Sequence, residues 1–169
     1  VPGLDTLDSL HTETLCVGVF EDERPPRGVA GLVDWRLAGR VSRLLGDGKL
    51  TGAAGEVVLV GAGRRISGDR VLVFGLGARG DFDEQRYSSS VQQQLFVLQG
   101  LKVRSVAVAL PGRALELISP ERAIEIFLGA AYDGEDPLDE VVILDTQAAH
   151  RSMQPLVDRE RRRAAARFN

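Results

Sequence analysis

The chain is 169 residues long, 44% hydrophobic and 27% charged, a one-domain length with apolar material for a real core, which excludes disordered, collagen-like and coiled-coil classes. Its net charge of −3 is segregated: Arg151 to Asn169 holds six Arg against Asp158 and Glu160, net +4, while residues 1–150 hold 15 basic and 22 acidic residues, net −7. An acidic body excludes a general nucleic-acid binder, whose affinity comes largely from Lys and Arg on phosphates.

The first expected strand is Thr14 to Phe20. Leu32 to Leu45 reads as one helix starting near Gly31, with Val33, Leu37, Val41 and Leu44 along a stripe and Gly46-Asp47-Gly48 as its stop. Gly46 to Gly55 is then a glycine-rich connecting loop. Strands follow at Glu56 to Val60 and Arg70 to Phe74, and the nine residues between them, with three glycines, suit a hairpin rather than a crossover helix. Asp81 or Asp83 caps the next helix, whose Tyr87, Val91, Leu95 and Leu98 share a face before Gly100. Arg104 to Leu110 is a fourth strand, and Ser119-Pro120 opens a helix with Ile124, Phe127, Leu128 and Ala131 inward. Glu140 to Leu144 is the fifth strand, and residues 146–168 read as helical, interrupted or restarted at Pro155. Val57 to Val60 and Val141 to Leu144 show no polar alternation, the pattern of strands covered on both faces. The expected fold is α/β, with a mixed central sheet and helices on both faces, in a single domain over residues 1–169.

The longest apolar run, Val106 to Leu110, is far shorter than the roughly 20 residues of a membrane span, and no basic-then-apolar leader opens the chain. The single cysteine, Cys16, requires no oxidising compartment, so a cytoplasmic location is expected. Cys16 reads as a buried thiol, and His11 and His150 as surface residues near element ends. One Cys and two distant His cannot build an ordinary zinc site, and the carboxylates Glu135, Asp136, Asp139 and Glu140 read as a charged loop. No catalytic residue, metal ligand or cofactor is therefore assigned.

Gly75-Leu76-Gly77-Ala78-Arg79-Gly80 spells G-x-G-x-x-G after a strand, a spacing that lets backbone amides approach a pyrophosphate where a helix begins at once. Here the helix begins later, behind Asp81, Asp83 and Glu84, and no acidic residue follows at the ribose-binding distance. Gly75, Gly77, Arg79 and Gly80 remain the candidate ligand loop. Gly46-Asp47-Gly48-Lys49-Leu50-Thr51 lacks the order of a phosphate loop, and no nucleophile elbow occurs around Ser88-Ser89-Ser90. Arg159, Arg162, Arg163 and Arg167 crowd the last helix. Without interleaved aromatics they suit an acidic protein surface better than single-stranded nucleic acid, and they are the candidate interaction surface.

Three stretches in order, Asp34-Trp35-Arg36-Leu37-Ala38-Gly39-Arg40-Val41-Ser42-Arg43-Leu44-Leu45, Thr51-Gly52-Ala53-Ala54-Gly55-Glu56-Val57-Val58-Leu59-Val60 and Asp69-Arg70-Val71-Leu72-Val73-Phe74-Gly75-Leu76-Gly77, carry a resemblance. Together they resemble the N-terminal domain of the cytosolic leucyl aminopeptidases, dizinc enzymes; the likeness extends more weakly through 102–111 and 121–132, about residues 30–133 in all. The resemblance implies a macro-domain-like fold that precedes a separate catalytic domain. The family's metal-site motifs, resembling V-G-K-G-x-T-F-D-S-G-G and N-T-D-A-E-G-R, do not occur in these residues, so the resemblance implies a non-catalytic domain for assembly, interaction or regulation. Its partners would be a catalytic domain, another protein or a second copy. The alternative is a macro-like module binding ADP-ribose or a related nucleotide, although the glycine-tripeptide loop and Asn/Asp pattern of macro domains are not seen.

Overall fold

A computed structural model describes residues 3–134 and 137–167. After a short α1 (Leu4–Asp8), β1 (Thr14–Val19) enters the centre of the molecule, followed by α2 (Gly28–Arg36) and α3 (Arg40–Gly46). β2 (Val57–Gly61) and β3 (Arg70–Gly75) form the hairpin, then come α4 (Glu84–Gly100), β4 (Ser105–Val108), α5 (Pro120–Tyr132), β5 (Glu140–Ile143) and α6 (Gln147–Arg167). The sheet order is β2-β3-β1-β4-β5. β2 runs antiparallel to β3, pairing Leu59 with Leu72, while β1 is parallel to both β3 and β4, and β4 is parallel to β5.

Alternation along the central strands divides the core. Leu15, Val17, Val19, Val71 and Val73 pack toward α1, α2 and α3. Cys16, Leu72, Phe74, Val106 and Val108 pack toward α4, α5 and α6 with Tyr87, Ile124, Phe127 and Met153. Both faces of β1 and β3 are thus covered, and their unbroken apolar runs follow from that. The expected three-layer α/β architecture is the observed one, and the two strands over 56–60 and 70–74 do pair antiparallel.

Three local expectations are corrected. The helix expected over 32–45 is two helices, because the chain takes positive φ at Ala38 and Gly39; Val33, Leu37 and Val41 are still buried, each half contributing part of the stripe. Residues 147–167 form one helix that continues through Pro155 without a restart. Proline removes one N–H and crowds the carbonyl four residues back, and Pro155 sits on the exposed side of the helix. Last, the runs Val57 to Val60 and Val141 to Leu144 are covered less completely than expected, because β2 and β5 are the two sheet edges: Leu59 is exposed on β2, and β5 packs Val142 on one face and Val141 and Ile143 on the other but is only half-buried.

Capping follows the sequence closely elsewhere. The Asp83 carboxylate accepts from the Arg86 N–H at 2.8 Å, so Asp83 rather than Asp81 starts α4. Ser119 Oγ accepts from the Arg122 N–H ahead of Pro120, and Thr146 Oγ1 accepts from the Ala149 N–H at the start of α6. Glu135 and Asp136 of the expected carboxylate loop, and Phe168 at the end of the expected terminal helix, lie outside the described residues.

Candidate functional site

The connection after β1 leads to helices on one face of the sheet, while that after β4 leads to α5 on the other. Chain leaving adjacent parallel strands in opposite directions opens a crevice beyond their carboxyl ends, the general ligand position in open α/β sheets. A cavity of about 130 Å³ lies there. Its walls are the β1–α2 loop with the first turn of α2 (Phe20, Glu23, Arg27 to Ala30), the β4–α5 loop (Ala109 to Ala114), Leu76 after β3, and Leu144 to Thr146 after β5.

Two charged pairs mark the crevice, and they differ. Arg113 and Asp145 are both nearly buried, with Arg113 Nε donating to Asp145 Oδ2 at 2.9 Å and Nη1 to the Ile118 carbonyl at 2.8 Å, while Asp145 Oδ1 also accepts from the Thr146 N–H. This pair is well satisfied and ties the β4–α5 loop to β5. Glu23 is 6% exposed, and its Oε1 has no hydrogen-bond partner. Arg27 Nε lies 3.9 Å from it, on a side chain left 65% exposed. Burial pushes the Glu23 carboxyl up from its ordinary range, against the opposing charges of Arg27 and Arg79.

The sequence candidates lie elsewhere. Leu76 lines the crevice, but Gly75, Gly77, Arg79 and Gly80 do not. The amides of Gly75, Gly77 and Arg79 donate to the Glu56 carbonyl, the Gly52 carbonyl and Asp22 Oδ1 respectively. A Cβ at Gly75 would collide with the Ala53 carbonyl oxygen, so glycine there serves close backbone approach of the 51–55 loop. Glu56 holds that loop from the other side, accepting from the N–H groups of Thr51 and Gly52 and from the Thr51 hydroxyl. Although partial burial works against its charge, those bonds hold the Glu56 carboxyl below its ordinary range.

On α6, Arg159 contacts Glu125 and Glu160, and Arg163 contacts Glu160. The chain of contacts continues through Glu125 to Arg122 and Glu84, joining α4, α5 and α6. Arg162 and Arg167 are exposed and make no ion pair among the described residues. Cys16 is buried at the sheet centre, and burial pushes its thiol pKa up, which keeps it protonated and unreactive. His11 is exposed, while His150 reaches the Ile143 carbonyl at 3.0 Å. Among the described residues no cluster of three or more His, Cys, Asp or Glu could hold a metal, and no helix is long and apolar enough to cross a membrane.

Sequence reasoning missed Glu23, Arg27, Arg113 and Asp145. A usable signal was present: each follows the end of a parallel strand, where loops gather in this class of sheet.

Comparison with known proteins bears on this geometry. The family model for the cytosol aminopeptidase family, N-terminal domain, matches residues 16–135. A probable cytosol aminopeptidase of Pseudomonas syringae pv. tomato is 30% identical over 132 residues, 78% of this chain and 26% of that protein. One of Haemophilus ducreyi is 30% identical over 119 residues, 70% of this chain and 23% of that protein. The chain thus spans about a quarter of the length of these relatives. Among solved structures, a tomato leucine aminopeptidase mutant superposes with a TM-score of 0.59 at 18% identity, covering 86% of this chain and 32% of that one. An Oceanobacillus iheyensis macrodomain with ADP superposes at 0.68 with 13% identity, covering 90% of this chain and 86% of that one. A Trypanosoma brucei macrodomain reaches 0.70 at 15% identity, covering 89% and 63%. The fold is therefore macrodomain-like, and the chain belongs to the cytosol aminopeptidase family, as its N-terminal domain.

Proposed function

We propose that this domain is a non-catalytic assembly and interaction module of a leucyl aminopeptidase-like protein, active in peptide hydrolysis only when joined to a catalytic domain. The observation that carries the reading is the family match over 16–135 in a chain that spans a quarter of its relatives. The docking partner is the catalytic domain of the same protein, in the cytoplasm, a location supported by relatives named as cytosol aminopeptidases. The docking surface is the outer side of α6, because positive charge is concentrated there on an otherwise acidic body, and complementary charge steers and orients association.

The test is reconstitution. The domain alone, with zinc or manganese, releases no leucine from leucyl amides; with the catalytic domain of a cytosol aminopeptidase supplied in trans it forms a salt-sensitive complex. Metal-dependent turnover that follows the isolated domain through repeated purification overturns the non-catalytic assignment, and failure to associate at low salt overturns the docking role.

A further inference from the structure

Glu23 is the outstanding polar group of the crevice. A carboxylate taken out of water is stabilised by hydrogen bonds and by opposite charge in contact, yet Glu23 is buried and its Oε1 accepts no hydrogen bond. Arg27 is a cation 3.9 Å away, most of its side chain is exposed, and its guanidinium makes no hydrogen bond among the described residues. The residues that follow it, Gly28, Val29 and Ala30, line the same cavity and form the first turn of α2, whose orphan N–H groups favour an anion. Acceptor and anion-binding pole thus stand side by side. The Arg113–Asp145 pair across the crevice is mutually satisfied and competes for neither.

The remaining wall is apolar, from Phe20, Val29, Leu76, Leu110 and Leu144. Its cavity of about 130 Å³ is close to the roughly 150 Å³ that holds a benzene-sized body in an engineered protein cavity. A ligand answering both poles across 3.9 Å must carry its ammonium and carboxylate on neighbouring atoms, with an apolar body of about six heavy atoms or fewer. We propose that the crevice binds a free α-amino acid with an apolar side chain, its ammonium on Glu23, its carboxylate on Arg27 and the start of α2, and its side chain among the apolar walls. The zwitterion also keeps the site neutral, because each ligand charge meets its opposite. This binding is independent of the docking role of α6.

Thermal melts and calorimetric titration of the 169-residue chain with L-leucine test the site, against N-acetyl-L-leucine, which lacks the ammonium, leucinamide, which lacks the carboxylate, and ADP-ribose. L-leucine raises the melting temperature in a saturable way, and the two blocked compounds bind about tenfold more weakly or worse, the loss of one charged contact. Glu23→Gln and Arg27→Ala each weaken leucine binding by about tenfold or more. Arg27→Ala alters a mostly exposed side chain and reads the same question should Glu23→Gln disturb the loop. Absence of a leucine effect up to about 50 mM, a range that includes even millimolar ligands, overturns the proposal. So does equal binding of leucine and N-acetyl-leucine, or a crevice that takes ADP-ribose while leucine neither binds nor displaces it.

Discussion

Glu23 and Glu56 are carboxylates in neighbouring loops with opposite surroundings, and pH separates them. Glu23 faces Arg27 and Arg79, with Asp22 adjacent, but burial dominates and raises its pKa. A raised folded-state pKa means that the folded chain holds the proton more tightly than the unfolded one. Stability is then full below the unfolded value near 4.3 and declines as pH rises through the folded value. Glu23→Gln removes that penalty, so the variant should melt about 2–4 °C higher at pH 7, the scale of about 1 kcal/mol in a domain of this size, with the gain fading toward pH 4. Thermal melts at both pH values decide it; a lower melting temperature at pH 7 means the ionised carboxylate is a net stabiliser. Glu56 behaves in reverse. Its pKa is lowered by donors from the 51–53 segment, so its contribution is present above pH about 4.3 and lost as pH falls through the folded value. Glu56→Ala should cost about 1–2 kcal/mol at pH 7, like a lost helix cap, and less at pH 3. Denaturant midpoints at the two pH values measure the difference.

At the scale of elements, the edge strands show what a sequence pattern can and cannot say. Val57 to Val60 and Val71 to Phe74 look alike as strings, and both form strands, because apolar β-branched runs bounded by glycine mark strands at either position. Position in the sheet is decided by pairing partners distant in sequence, and so β2 is an edge with Leu59 59% exposed while Val73 is fully buried. Val73→Asp should therefore abolish folding, since an unpaired core carboxylate costs several kcal/mol of a total near 5–15. Leu59→Asp should leave the melting temperature within a few degrees of the parent. Circular dichroism melts of the pair distinguish the two sites. The stripe Val33, Leu37, Val41 was legible, but the turn at Ala38-Gly39 depends on local dihedrals that periodicity does not encode. Pro155 marks a break in sequence and none in space, and Pro155→Ala should raise stability, by up to about 3 kcal/mol, because a helix interior restores the missing bond. An unchanged denaturant midpoint means that the flanking helix has already relaxed around the proline. Crevice residues were the least legible of all. Arg113 and Asp145 lie 32 residues apart and meet only because β4 and β5 are neighbours, whereas the conspicuous glycines at 75 and 77 accommodate the 51–55 loop.

Across the whole molecule, the two-sided core fixes the sheet and leaves the outer side of α6 as the basic surface of an acidic body. The four arginines singled out there are physically distinct. Arg159 and Arg163 belong to the ion-pair chain running from Glu84 through Arg122, Glu125 and Glu160. Individual exposed pairs are worth about 0–1 kcal/mol, so reversing these charges perturbs the packing of α6 on α5 modestly as well as any docking. Arg162 and Arg167 are exposed and pair with nothing among the described residues, so their charge is available to a partner. If the catalytic domain docks on this surface, Arg162→Glu with Arg167→Glu should weaken association about tenfold or more at low salt while the isolated domain melts unchanged. In about 0.5 M salt the parent and the variant should converge, since exposed charges are then screened within about 4–5 Å. Arg159→Glu should lower the melting temperature slightly and weaken docking together. Equal affinity of the parent and the double variant at low salt would remove α6 from the interface and shift attention to the exposed Leu59 on the sheet edge and Phe96 on α4.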